Sequence, residues 1–204
     1  VAYHFGKKGN LLTTNEAKFI ASKTNFVVLE KAHGFPKYKF SEEAILRDAK
    51  VLKKYNNDLK IIFYWNAFLD YSMYQAHKEY EENPDWWLKN ADGTLDLKRG
   101  RIKRYDLSNP AVRKWWIDVA EKNVASKYID GVFFDALLQV LAPSNKKQWG
   151  KEKYDAIEQG LKDLIKETRE RIGGDKLLVY NGIRSTHNRS TGNNFPANTD
   201  AIMI

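Results

Sequence analysis

The residue with the clearest chemical potential is Asp135, which ends the segment Gly131-Val-Phe-Phe-Asp135. The residues before it are typical of a buried parallel strand, and parallel α/β folds place their ligand sites at the carboxyl ends of strands. An ionised side chain there is costly unless it is paired or used. We therefore expect Asp135 to be catalytic; the alternative is a structural carboxylate that accepts hydrogen bonds from neighbouring loops.

Glu30 is a candidate second carboxylate, because it ends another apolar run. Hydrolysis of a glycosidic bond needs two carboxyl groups, about 5–5.5 Å apart for retention or about 6.5–9.5 Å apart for inversion. An ion pair of Glu30 with a cation such as Lys31 is the equal alternative. His4, Lys31 and His33 would lie near the same end of the sheet as binding groups, and this set could instead abstract a proton beside a uronate carboxylate, as lyases and dehydratases do.

Aromatic and amide side chains follow two further apolar runs. Tyr64, Trp65 and Asn66 end one run and Asn181 ends another, with Arg184 in the polar loop that follows. Sugar sites use aromatic faces against the ring and amides for its hydroxyls, so we expect these residues to bind substrate. Because neighbours in a strand alternate, one of Tyr64 and Trp65 must face the core instead.

A long aromatic and polar interval separates Asn66 from about Leu107, and a loop of this length is usually functional. Within it, Trp86 and Trp87 could form a sugar platform or could pack the loop onto the sheet. The basic run Lys98-Arg-Gly-Arg-Ile-Lys-Arg104 is typical of a solvated surface. If it borders the cleft, it could attract a sulfated or uronic-acid polysaccharide.

These residues must be positioned by alternating strands and helices. Short runs rich in Val, Ile, Phe and Tyr predict strands near residues 2–5, 26–30, 61–65, 131–134, 177–180 and 201–204. Amphipathic segments predict helices over about residues 14–22 and 41–55, after Asn109-Pro110, and over Lys151–Ile172. Asp130, which precedes Gly131, is predicted to make a structural turn at the opposite edge.

Strand–helix alternation predicts an α/β fold, either a closed barrel or a doubly wound open sheet. The first strand is followed by no G-x-G-x-x-G or Walker A run, which is evidence against a nucleotide-binding fold. We therefore expect a (β/α)8 TIM barrel, of which residues 1–204 would supply roughly strands 1 to 6 as one catalytic domain. The apolar segments at both termini suggest that this domain is incomplete at both ends.

The amino-acid composition excludes few classes of binding partner. The chain has no Cys and four scattered His, so a thiolate zinc site is excluded, and we expect neither a catalytic metal nor a cofactor. The net charge of +8 suits nucleic acid, an anionic surface or an anionic glycan equally. Without a recognisable nucleic-acid module or an apolar run of about 20 residues, neither nucleic acid nor a membrane is expected as a partner, and the oligomeric state is left open.

Two motifs together resemble a known family. Asp106-Leu-Ser-Asn-Pro-Ala-Val-Arg113 before a Trp-rich helix, followed by Asp130-Gly-Val-Phe-Phe-Asp135, is similar to the glycoside hydrolase-like (β/α)8 barrels called hypothetical glycosyl hydrolases. The resemblance implies that Asp135 is the nucleophile or base and that the second carboxylate ends the sixth strand, where the sequence stops at Ile204. It also favours an exported protein.

The leading hypothesis is thus an enzyme that hydrolyses a polysaccharide or oligosaccharide, with an anionic glycan as a candidate substrate. The alternatives are a polysaccharide lyase or sugar dehydratase acting on uronates, and a non-catalytic barrel that binds glycans.

Overall fold

A computed structural model describes residues 2–181 and the strand at residues 201–203. Numbered in chain order, its strands are β1 (Ala2–Phe5), β2 (Phe26–Leu29), β3 (Lys60–Asn66), β4 (Leu97–Lys98), β5 (Ile102–Lys103), β6 (Gly131–Asp135), β7 (Leu177–Asn181) and β8 (Ala201–Met203). Its helices are α1 (Thr14–Lys23), α2 (Ser41–Tyr55), α3 (His77–Glu81), α4 (Pro110–Val124), α5 (Leu137–Val140), α6 (Ser144–Trp149) and α7 (Lys151–Ile172). The six strands predicted from the sequence are confirmed to within one residue at each end.

The main sheet has six parallel strands in the order β1-β2-β3-β6-β7-β8. Each new strand is added to the same edge, whereas a doubly wound sheet reverses its order at a switch point. Connections between parallel strands share one handedness, so this sequential order places the helices on one face of the sheet, as in the wall of a barrel. The predicted parallel α/β fold is confirmed, and the strand order argues against the doubly wound alternative.

Local sequence signals explain the helix ends. Thr13 and Glu16 form a reciprocal capping box at the start of α1. The Asn109 side chain accepts a hydrogen bond from Ala111 N, and Pro110 occupies the first turn of α4. These signals fix where the crossover helices begin.

The core is strongly aromatic between β3 and α4. The Trp65 indole donates to Trp116 O at 3.2 Å, and the Trp116 indole donates to Asn66 O at 2.8 Å. Trp116 also packs on Phe134 of β6, with ring centroids 4.5 Å apart. The backbone of the last residue of β3 is therefore held directly by the helix that covers the sheet.

Asp130 lies at the opposite end of the sheet, where the strands begin, and links neighbouring elements there. Its carboxylate accepts a hydrogen bond from Ile61 N at 2.8 Å and pairs with Lys53 at 2.8 Å. The predicted structural role of Asp130 is confirmed.

The long connection after β3 is ordered, and it contains the β4–β5 hairpin, which the sequence analysis did not predict. Asp70 N donates to Lys103 O at 3.0 Å, and Leu69 forms a bridge with Arg104. These contacts place β5 beside the segment that leaves the carboxyl end of β3. In the part of the chain that the structure describes, no helix is long and apolar enough to cross a membrane.

Candidate active site

Asp135 is held by four hydrogen-bond donors. Its Oδ2 atom accepts from the Tyr64 hydroxyl and from Asn66 Nδ2 at 3.3 Å. Its Oδ1 atom accepts from Asn181 Nδ2 at 2.7 Å and from Ala136 N at 2.7 Å. An ionised carboxylate is an acceptor only, so this set of donors suits the charged form and fixes its orientation.

The register of the parallel strands brings these groups together. Asn66 of β3 lies opposite Asp135 of β6, and Asn181 ends the next strand, β7. All three side chains therefore meet at the carboxyl edge of the sheet. Asp135 itself is only half-buried, so a ligand can reach it.

The backbone turns sharply directly after Asp135. Ala136 has φ 71°, in the left-handed region that a residue with a Cβ rarely adopts. Such a conformation costs about 1–3 kcal/mol and is found preferentially at functional sites. This turn begins at the residue whose N–H donates to the Asp135 carboxylate.

Tyr64 and Asn66 are positioning residues, which corrects the expectation that they bind sugar. Both side chains are buried, at 0% and 1% exposure. Asn66 Oδ1 accepts from Phe68 N at 2.9 Å and Leu69 N at 2.7 Å, while its Nδ2 also donates to the Tyr64 hydroxyl at 3.1 Å. Burial, and then the charge of Asp135, raise the pKa of Tyr64, which keeps its proton for donation.

Trp65 and His33 lie in the core: Trp65 is the member of the Tyr64–Trp65 pair that faces inwards, and His33 is buried away from the substrate site expected for it. Trp65 points from β3 towards α4, as strand alternation requires once Tyr64 faces Asp135. The His33 ring is fully buried, with Nε2 2.8 Å from Asp48 Oδ2 and Nδ1 accepting from Lys7 N at 3.1 Å. Neither ring can reach a substrate in this arrangement.

Glu30 forms the ion pair that was the alternative to a catalytic role. Its Oε1 atom lies 2.5 Å from Lys31 Nζ and 3.4 Å from His4 Nε2. Burial alone would raise the pKa of Glu30, but the neighbouring His4 and Lys31 outweigh it and hold the pKa below its ordinary value. A general acid needs the opposite shift. Of the two alternatives that the sequence left open for Glu30, the structure has the ion pair.

Lys31 also lies beside two aromatic rings of the site. Its Nζ atom lies 4.6 Å from the centroid of the Tyr64 ring and 5.9 Å from that of Tyr71. Burial raises the pKa of Tyr71, and the charges of Asp135 and Glu30 raise it further. We call Glu30, Lys31, Tyr71 and Asp135 the mouth. Tyr71 was missed by sequence reasoning because it lies in the connection five residues beyond β3.

Trp86 and Trp87 pack the long connection onto the fold, which was one of the two alternatives for this pair; a sugar platform on their partly exposed faces stays a prediction. The Trp86 ring packs 5.5 Å from Trp115 of α4. The Trp87 indole donates to Tyr80 O at 3.0 Å, and Lys103 Nζ lies 3.4 Å from its ring centroid. Arg184 lies outside the described residues, so its predicted role stays a prediction, as does that of the half-buried His4.

A cluster of potential metal ligands lies outside this site. One ligand atom from each of Asp70, His77 and Glu81 lies within 4.8 Å of the others. Sequence reasoning missed it, although His77 and Glu81 are four apart on α3 and so share a face. Lys103 Nζ, 2.6 Å from Glu81, already supplies a positive charge there. The Lys103 ammonium therefore already neutralises part of the negative charge of this cluster.

Comparison with known proteins identifies the family. The model of the hypothetical glycosyl hydrolase family 15 matches residues 53–204, which is more than half of the chain and includes β3, β6 and β7. Among curated proteins, none matches the chain.

Solved structures of glycoside hydrolases share the fold. A family GH13_31 enzyme superposes with a TM-score of 0.65 at 14% identity, over 100% of this chain and 51% of that enzyme. A GH36 α-galactosidase from Geobacillus stearothermophilus in complex with stachyose has a TM-score of 0.62 at 15% identity, over 88% and 27%. An α-galactosidase from Thermus thermophilus in complex with p-nitrophenyl α-D-galactopyranoside has a TM-score of 0.54 at 15% identity, over 88% and 37%. The chain thus spans half of the first enzyme, and less of the other two.

Proposed function

Because the chain belongs to hypothetical glycosyl hydrolase family 15, we propose that it carries the nucleophile or general base of a glycoside hydrolase, and that this residue is Asp135. The observation that supports this proposal best is the set of donors around Asp135 at the carboxyl edge of the sheet. A purely structural carboxylate would gain nothing from remaining half-exposed beside a strained backbone.

The chemistry follows from the orientation of the carboxylate. Either Asp135 attacks the anomeric carbon, or it takes a proton from a water molecule that attacks. In both cases the bond to the leaving oxygen breaks, and that oxygen takes a proton from an acid. Because Glu30 is paired with Lys31, we propose that the acid comes from another part of the protein, such as the end of the sixth strand of a (β/α)8 barrel.

We favour hydrolysis of a polysaccharide or oligosaccharide over elimination because of where the bases lie. Lyases and dehydratases need a base beside the substrate that is free to take its proton. His33 is buried against Asp48, and Lys31 is paired with Glu30. These contacts remove two of the bases that made elimination a candidate from the sequence.

The experiment is a glycan turnover screen of the full-length protein, with products identified by mass. Hydrolysis adds one water per cleaved bond, whereas elimination leaves an unsaturated sugar. Asp135→Asn should lower kcat on the best substrate by at least about 100-fold. Asp58→Asn, the same change at an exposed residue before β3, is the control and should leave kcat unchanged. A folded Asp135→Asn protein with full activity would exclude the proposal, and binding without turnover by the unmodified protein would favour a non-catalytic barrel.

A further inference from the structure

The tip of the β4–β5 hairpin holds an arginine in an unfavourable backbone conformation. Arg99 has φ 53° and Gly100 has φ 68°, in a turn closed by the bond from Arg101 N to Lys98 O at 3.3 Å. Two successive residues with positive φ strongly favour Asn-Gly or Gly-Gly. Arginine at the first of these positions is strained, and such strain persists where the side chain has a use.

The charge of Arg99 is not neutralised, in contrast to the charges of Lys103 and Arg104 in the same run. Lys103 pairs with Glu81 at 2.6 Å, and Arg104 pairs with Asp96 at 2.8 Å. Arg99 is exposed, and no carboxylate within the described ranges pairs with it. It is therefore a cation available to a ligand.

The hairpin sets this cation beside the mouth. Strand β5 is bonded to Asp70, the residue next to Tyr71, through the 3.0 Å contact with Lys103 O. The two segments run antiparallel, with Leu69 opposite Arg104, so the hairpin continues past Asp70 alongside Tyr71 towards its tip at Arg99. Lys31 borders the Tyr71 phenol from the other side, 5.9 Å from its ring centroid.

We propose that Arg99, with Lys31 and Tyr71, forms a subsite for an anionic substituent of the sugar, a carboxylate or a sulfate, next to the bond that is cleaved at Asp135. The guanidinium fork matches either oxyanion with two parallel hydrogen bonds. Because Lys31 is neutralised by Glu30, Arg99 supplies the uncompensated charge. This inference rests on the proposed function of Asp135 and adds the substrate class to it.

Binding to the full-length Asp135→Asn protein, measured by calorimetry, tests the subsite without requiring turnover. The probes are tetragalacturonate with its carboxyl-reduced counterpart, and a κ-carrageenan tetrasaccharide with its desulfated counterpart. At least one acidic probe should bind about tenfold more tightly than its neutral partner, equivalent to about 1.4 kcal/mol. Whether the carboxylate or the sulfate pair shows the difference identifies the anion.

Arg99→Asn, made in the same protein, should abolish this preference. Asn is favoured at positive φ, so this variant should fold at least as stably as its parent. Arg101→Asn removes the same charge from the same turn and should keep the preference. Equal losses in both variants, or no acidic probe that binds more tightly than its partner, would overturn the subsite.

The two proposals fail in different ways. If the unmodified protein hydrolyses neutral glycans through Asp135 and shows no preference for acidic probes, the proposed hydrolase function is supported and the anionic subsite is excluded. If Arg99 governs the binding of acidic probes but Asp135→Asn leaves turnover intact, the anionic subsite is supported and the catalytic role of Asp135 is excluded.

Discussion

The hydroxyl of Tyr64 offers the sharpest test of how Asp135 is positioned. Tyr64→Phe removes one atom, which donates to Asp135 Oδ2 and accepts from Asn66 Nδ2. A hydrogen bond to a charged group contributes about 1.5–3 kcal/mol. If that contribution is fully present in the transition state, kcat should fall by about 10- to 100-fold, since about 1.4 kcal/mol corresponds to tenfold in rate.

The KM should change little, because the Tyr64 side chain is fully buried and does not meet the sugar. Steady-state kinetics on the best substrate separates the two parameters, and thermal unfolding reports whether the variant is folded. Tyr154→Phe is the matched control: it removes a buried hydroxyl that donates to Leu141 O at 3.0 Å and not to Asp135. It should cost stability by about 1 kcal/mol and leave kcat intact. A folded Tyr64→Phe protein with unchanged kcat, or one with only a raised KM, would refute the positioning role.

Three further predictions concern stability. Gly160→Ala should destabilise the protein by about 1–3 kcal/mol in chemical denaturation, because a Cβ there would lie 2.0 Å from a backbone carbonyl, whereas Gly174→Ala, in open space, should have little effect. His33→Ala should cost about 1–3 kcal/mol, because the buried Asp48 carboxylate loses one hydrogen-bond partner and keeps Leu12 N and Arg47. The kcat of the folded protein should be unchanged, and a loss of kcat at full stability would indicate that His33 belongs to the site. The hydrogen bond to Asp70 raises the pKa of His77 above 6.5, so its contribution to stability should be complete below about pH 6.5 and decline as the pH rises through the folded-state pKa. A wild-type melting temperature that falls over this range no more than that of His77→Gln would contradict this sign.

Features that depend on local sequence patterns, such as strands and the residues that end them, were mostly predicted. Apolar runs located six strands, and a carboxylate after a buried strand located Asp135, because parallel strands present their carboxyl ends at one edge. Alternation within β3 required one of Tyr64 and Trp65 to be core. It did not say which, because both rings suit either face and only the register with β6 decides.

Contacts distant in sequence could not be predicted in this way. The role of Glu30 could not be decided either, although its partner Lys31 is its neighbour in sequence, since burial and pairing compete in setting a carboxyl pKa. The burial of His33 depends on Asp48 of α2, which no motif links to it. The β4–β5 hairpin was hidden because its basic run has the composition of solvated surface, and only its pairing to the segment after β3 brings Arg99 beside the mouth.

Chemical rescue of Asp135 tests the central claim most directly. In Asp135→Ala the carboxylate is removed, and azide can enter the vacated space and attack the anomeric carbon of a substrate with a good leaving group. We predict that the variant is folded and nearly inactive, and that added azide restores turnover with a glycosyl azide as the product, identified by mass. A folded Asp135→Ala protein that hydrolyses the same substrate at the wild-type rate, with no glycosyl azide formed, would contradict the account.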